Sequence, residues 1–187
     1  MTTNRKLDSE MVSVMRHYSD SFGGKIHNEA SEETDILMDA FGLTPTVKNA
    51  NRQYWGRELG MCWQRLVIAV MRNLAADEFA EAKRYGGDEP YDLAVGGFAV
   101  DTKYRVGSGD AGTLKKFKQY GELLRSDEFT PMMLFLRSDN LPSAIGAMRV
   151  GGWMILSGNE SFDWIAEHTS GFRLDDWLVS QRGVFKS

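Results

Sequence analysis

The chain has 187 residues and 21.1 kDa, and its 42% hydrophobic and 26% charged content is ordinary globular usage for one domain with a sizeable core. That composition excludes a collagen-like chain, a disulfide scaffold and a mainly disordered tail. The 22 Lys and Arg against 26 Asp and Glu give a net charge of −4, which excludes a nonspecific nucleic-acid coat but leaves room for a local basic face.

Arg5 and Lys6 are followed by no apolar stretch, so no secretory signal is expected. Leu7, Met11, Val14, Met15, Tyr18 and Phe22 recur at helical spacing, and Gly23-Gly24 ends the run. Ile36–Phe41 reads as a second short helix, stopped by Gly42 and Pro45. The strongest helix runs from about residue 51 to 75, with the apolar stripe Trp55, Leu59, Trp63, Leu66, Val67, Val70 and Leu74. Glu58, Cys62, Arg65 and Ala69 form a second stripe beside it. Cys62 is the one cysteine, which excludes an intrachain disulfide and fits a reducing, cytoplasmic compartment.

A different texture follows. Asp92-Leu-Ala-Val, Gly96-Gly97 and the run from Phe98 to Tyr104 form a hairpin signature with a two-residue turn. The glycine-rich stretch from Gly107 to Gly112 leads into a helix over about 113–125 that packs Leu114, Phe117, Leu123 and Leu124. Residues 131–137 and 153–156 read as strands, and 162–168 and 174–178 as helical pieces. The apolar run 132–136 is strand-sized, far short of the roughly 20 residues of a membrane span. The order helix, hairpin, crossover helix, strand, strand predicts one α/β domain over residues 1–187, with a mixed central sheet flanked by α-helices.

The hairpin brings chemistry together. With Gly96-Gly97 as the turn, Val95 faces Phe98, Leu93 faces Val100 and Asp92 faces Asp101, at Cβ separations of ~5 Å. Alternation then sets Ala99, Asp101, Lys103 and Arg105 on one face, and Phe98, Val100, Thr102 and Tyr104 on the other. At ~5 Å and an effective dielectric of ~20, two bare carboxylates repel by about 3 kcal/mol, which Lys103, a shared proton or a divalent cation must offset. Mg²⁺ suits an open oxygen site, and a lysine beside it would face the ion's waters and a bound phosphate. The plainer alternative is a solvent-facing Asp–Lys pair on a strand.

Asp92 followed by Asp101-Thr102-Lys103 resembles the PD-(D/E)XK nuclease core, although Tyr91 separates Pro90 from Asp92. The resemblance covers about residues 51–137 and implies a restriction-endonuclease-like fold, with Asp92 and Asp101 as metal ligands and Lys103 as the catalytic lysine. Glu58 resembles the further acidic ligand that many members carry on the preceding helix. Within that superfamily the size looks most like a type II restriction endonuclease: a homodimer that cleaves double-stranded DNA with Mg²⁺, with Mn²⁺ as a substitute. A structure-selective repair or recombination nuclease is the alternative within the fold.

Gly107, Gly109 and Gly112 also match G-x-G-x-x-G, the turn of an NAD(P)-binding oxidoreductase. Against that reading, the strand feeding it carries Asp101, Lys103 and Arg105, whereas such a strand is nearly all apolar. In the nuclease reading the loop, Ser108 included, offers backbone N–H groups to a DNA phosphate. From Asp101 to Tyr120, five basic residues face two acidic ones. The expected DNA contacts are Arg105, Ser108, Lys115, Lys116, Lys118 and Gln119, with Arg137 and Asn140 as readers of base edges. His17, His27 and His168 lack zinc spacing.

Overall fold

The computed structural model describes residues 5–22, 34–107 and 109–185. The helix stop expected at Gly23-Gly24, together with His27 and Ser108, lies outside them. Among the described residues no helix is long and apolar enough to cross a membrane.

The long apolar stripe forms α4 (Arg52–Leu74), opened by the Asn51 side chain, which accepts the Tyr54 N–H at 3.1 Å. Every residue of the stripe is buried except Leu74, which is half-buried. A fully buried aliphatic side chain of this kind contributes about 1.5–3 kcal/mol. Before α4 come α1 (Arg5–Phe22), α2 (Ile36–Phe41) and α3 (Pro45–Ala50). Pro45 follows the end of α2, as expected, and also sits in the first turn of α3, behind the N-cap Thr44. Proline is tolerated there because the first N–H groups of a helix have no intrahelical partner.

The sheet has five strands in the order β1-β2-β3-β4-β5: β1 (Phe79–Glu81), β2 (Leu93–Val95), β3 (Phe98–Lys103), β4 (Thr130–Phe135) and β5 (Met154–Ser157). The first three pair antiparallel and the last three parallel. The predicted register holds, with Leu93 opposite Val100 and Val95 opposite Phe98. Gly96 and Gly97 both have positive φ, 52° and 87°, as the tight hairpin turn requires. Strand β1, too short to show a period, escaped the sequence reading.

The crossover α5 (Ala111–Ser126) joins β3 to β4, and α6 (Pro142–Val150) joins β4 to β5. Helix α6 was not expected: Pro142 opens it, while Gly146, Gly151 and Gly152 make its sequence read as a loop. The chain then forms α7 (Asn159–Glu167) and α8 (Leu174–Ser180).

The sheet divides the interior into two cores, as strand alternation demands. Leu93, Val95, Val100, Met132 and Leu134 meet α1, α2, α4, α7 and α8, whereas Ala94, Ala99, Met133 and Phe135 meet α5 and α6. On one face the Trp63 indole N–H donates to the Leu134 carbonyl at 3.1 Å; on the other, Trp153 donates to the Phe117 carbonyl at 2.6 Å.

Candidate active site

Asp101 lies on the α5–α6 face of β3 and is only 8% exposed. Its carboxylate accepts a short hydrogen bond from the Lys103 amine two residues on, as the shared face predicts. Burial pushes the Asp101 carboxyl up to about 6; Lys103 opposes the rise and the nearby Asp92 charge adds to it. Burial works to lower the Lys103 amine, but Asp101 and Asp92 outweigh it and leave the amine above its ordinary value.

Asp92 departs from the expected simple opposition. Its backbone N–H donates to the Val100 carbonyl at 2.8 Å, so the regular pairing of β2 ends before Asp92. The carboxylate folds across to β3, where one oxygen accepts the Thr102 N–H at 2.7 Å and the Thr102 hydroxyl at 2.6 Å. The other oxygen accepts the Gln64 amide N–H at 2.6 Å, from α4. Asp92 thereby replaces a strand partner for Thr102 and stays within electrostatic reach of Asp101 and Lys103. Thr102 and Gln64, absent from the sequence expectation, are the residues that aim this carboxylate. Neither residue carries a spacing signal in the sequence, because each meets Asp92 only once the hairpin forms and α4 packs on the sheet.

Glu58 is placed differently. It is six residues before Gln64, about 120° round the helix, and it accepts from Arg57 at 2.9 Å. Its charge acts on Tyr18 of α1. Among the described residues no three His, Cys, Asp or Glu side chains gather as a metal-holding group, so the expected acidic trio of Glu58, Asp92 and Asp101 does not form. The remaining donors still fit a hard divalent cation. Two carboxylates meet beside a single amine, and Mg²⁺ needs only one or two carboxylates with water.

A second polar network lies across the end of β3, where Tyr104 points to the α4 side. The Tyr104 hydroxyl accepts from Lys48 and donates to Asp35. Asp35 caps α2 through its other oxygen, at 3.1 Å from the Leu37 N–H and 3.0 Å from the Met38 N–H. Arg137 donates to Asp35 at 3.1 Å and to Asp139 at 2.7 Å. Arg105 pairs with the other Asp139 oxygen at 2.8 Å and donates to the Asp139 carbonyl at 2.8 Å. Asn140 accepts the Val106 N–H at 2.9 Å and donates to the Arg137 carbonyl at 2.8 Å. Arg137 and Asn140, expected as readers of base edges, are thus bound into the loop after β4.

On α5, Lys115, Lys118 and Gln119 are exposed, and Lys116 pairs with Asp88 at 3.3 Å. The first turn of α5, expected to cradle a phosphate, is capped by Asp110, which accepts from the Thr113 N–H at 2.8 Å. That carboxylate satisfies one of the helix-start N–H groups expected to meet a phosphate. An open cleft of about 450 Å³ lies at the hairpin end, lined by Leu74, Asp77, Glu78, Glu167, His168 and Ser170, and holds none of the expected site residues.

Compared with known protein families, curated proteins and solved structures, the chain matches none. The reading of the site rests on its own geometry.

Proposed function

We propose that the protein is a Mg²⁺-dependent endonuclease that hydrolyses phosphodiester bonds of double-stranded DNA. The one observation that carries the reading is the meeting of Asp92, Asp101 and Lys103 at the end of a glycine-turned hairpin. The order α4, three antiparallel strands, α5 and the parallel strand β4 supports a restriction-endonuclease-like frame around them. In this reading the protein is a type II, sequence-specific enzyme, and a homodimer supplies one centre for each strand.

Asp92 and Asp101 would hold Mg²⁺, or Mn²⁺ in its place. An ion held there would supply Lewis-acid polarisation of the phosphate and a more acidic water. Thr102 and Gln64 fix the direction of the Asp92 carboxylate before substrate arrives, so no reorganisation is needed at the moment of reaction. Lys103 orients the attacking water and donates to the phosphate oxygens as negative charge grows on them. Lys115, Lys118 and Gln119, exposed on the crossover helix, offer contacts to the DNA backbone.

The test is incubation of long duplex DNA with and without Mg²⁺, beside Lys103→Ala and Asp101→Asn. Discrete fragments are expected from the unsubstituted protein with metal alone. Lys103→Ala loses cleavage, and Asp101→Asn loses cleavage while keeping DNA binding, because it removes a negative charge facing phosphate. Equal cutting by Lys103→Ala, or unchanged DNA after long incubation of the unsubstituted protein with Mg²⁺ or Mn²⁺, overturns the proposal.

A further inference from the structure

The loop after β4 places a single carboxylate between two guanidinium groups. The Arg105 Nε is 2.8 Å from one oxygen of Asp139 and the Arg137 Nε is 2.7 Å from the other. The side chain of Arg137 is 10% exposed, while those of Arg105 and Asp139 are 45% and 37% exposed. One arm of the clamp is therefore fixed, and the other arm and the occupant open to solvent. Lys48 lies behind them, 16% exposed, and pairs with Asp35, the acid that Arg137 also reaches.

The Arg137 Nε–H donates to one carboxylate oxygen, and the Arg105 guanidinium, whose Nε–H donates to the Asp139 carbonyl, stands in ion-pair contact with the other; two guanidinium groups about one anion is also how arginines hold a phosphate. The position suits that ligand. The clamp lies beyond the carboxyl ends of the parallel strands β3 and β4, where open α/β sheets bind their ligands. Arg105 follows Lys103 by two residues, so a backbone running past Lys103 passes the clamp next.

We propose that Arg105 and Arg137 form a phosphate-binding clamp that the protein's own Asp139 occupies until a nucleic-acid phosphate displaces it. The ligand class is a phosphodiester oxygen of duplex DNA, and that assignment rests on the nuclease reading. Asp139 acts as an internal competitor: it keeps the arginines in place and lowers the affinity of any phosphate that lacks further contacts to repay the exchange. The Asp139 loop is held by Asn140 at both Val106 and Arg137, so the carboxylate can leave without the loop unravelling.

The test measures binding of a fluorescent 20-base-pair duplex in EDTA, where cleavage cannot contribute. Asp139→Asn is expected to tighten binding by about tenfold, the size of one charge-assisted contact. In an Arg105→Ala background the same substitution is expected to change affinity by less than twofold. An equal gain in both backgrounds shows only the removal of a distant negative charge and overturns the clamp, as does no gain in Asp139→Asn. Asp139→Ser, checked by thermal melting, serves as the second variant where asparagine disturbs the loop, with the same expectations. Inorganic phosphate separates the two sources of the anion: displacement of duplex from Asp139→Asn only above about tens of millimolar supports a polymer-held phosphate, and displacement at micromolar concentration overturns it in favour of a free-phosphate site. An Arg105-dependent gain without any Mg²⁺-driven cleavage sinks the nuclease reading alone; cleavage without the gain sinks the clamp alone.

Discussion

Gln64 carries the greatest consequence among the residues around Asp92, because it is the one side chain that α4 sends to the carboxylate. In the proposed nuclease Asp92 holds the metal, and a supporting hydrogen bond around such a ligand is worth about 10–100-fold in affinity or activity. Gln64→Ala is therefore expected to raise the Mn²⁺ concentration needed for half-maximal cleavage by about tenfold while leaving the melting temperature nearly unchanged. Gln64→Glu is expected to raise it as well, since it replaces the donor that aims Asp92 with a like charge. Asp139 makes a different prediction, about pH. Burial works to raise its carboxyl, but the Arg137 and Arg105 guanidinium groups outweigh burial and hold it below the ordinary carboxylate value. A folded-state value below the unfolded one stabilises the protein above the unfolded value, near pH 3.8, and that contribution fades as pH falls further. The difference in melting temperature between the unsubstituted protein and Asp139→Asn should thus be largest near neutrality and shrink below about pH 4. With a third of the side chain exposed, the whole effect is about 1 kcal/mol or less.

Helices α5 and α6 meet through glycine. A Cβ on Gly121 would stand 2.1 Å from the Gly151 carbonyl oxygen and 2.7 Å from the Trp153 indole nitrogen, and one on Gly151 would stand 2.7 Å from the Phe117 carbonyl oxygen. Backbone cannot yield there as a flexible side chain can, so Gly121→Ala should destabilise the fold by about 2–3 kcal/mol or more, read as a lower urea midpoint. Nothing in the sequence announces this contact, since Gly121 interrupts an otherwise helical run without a visible partner. Elements with long repeats were legible: the stripe from Trp55 to Val70 placed α4, and Gly96-Gly97 set the hairpin register before any coordinates. Pro45 was legible as marking the end of α2, which stops at Phe41, but not as the start of α3. At the site, Asp101 and Lys103 were legible as strand neighbours of like parity. Asp92 was legible in position but not in direction, because its departure from the β2 pairing depends on Thr102 and Gln64, residues far apart along the chain. Glu58 was legible as an acid on α4 but not in direction, because an acid's azimuth is set only when the helix docks.

Across the whole molecule the sheet separates two apolar layers and gathers charge at its ends. Lys103, Arg105 and Arg137 lie about the carboxyl ends of β3 and β4, while Asp77, Glu78 and Glu167 line the cleft at the hairpin end. The cations at the carboxyl end each lie beside a carboxylate, Lys103 with Asp101 and both arginines with Asp139, whereas the acids of the cleft line it together. Each layer is also fastened by one indole: Trp63 to the Leu134 carbonyl beneath α4, and Trp153 to the Phe117 carbonyl beneath α6. These fluorophores sit on opposite sides of the sheet, so the molecule has a built-in optical gauge for each side. Emission difference spectra of Trp63→Phe and Trp153→Phe would report which layer loosens first as denaturant rises.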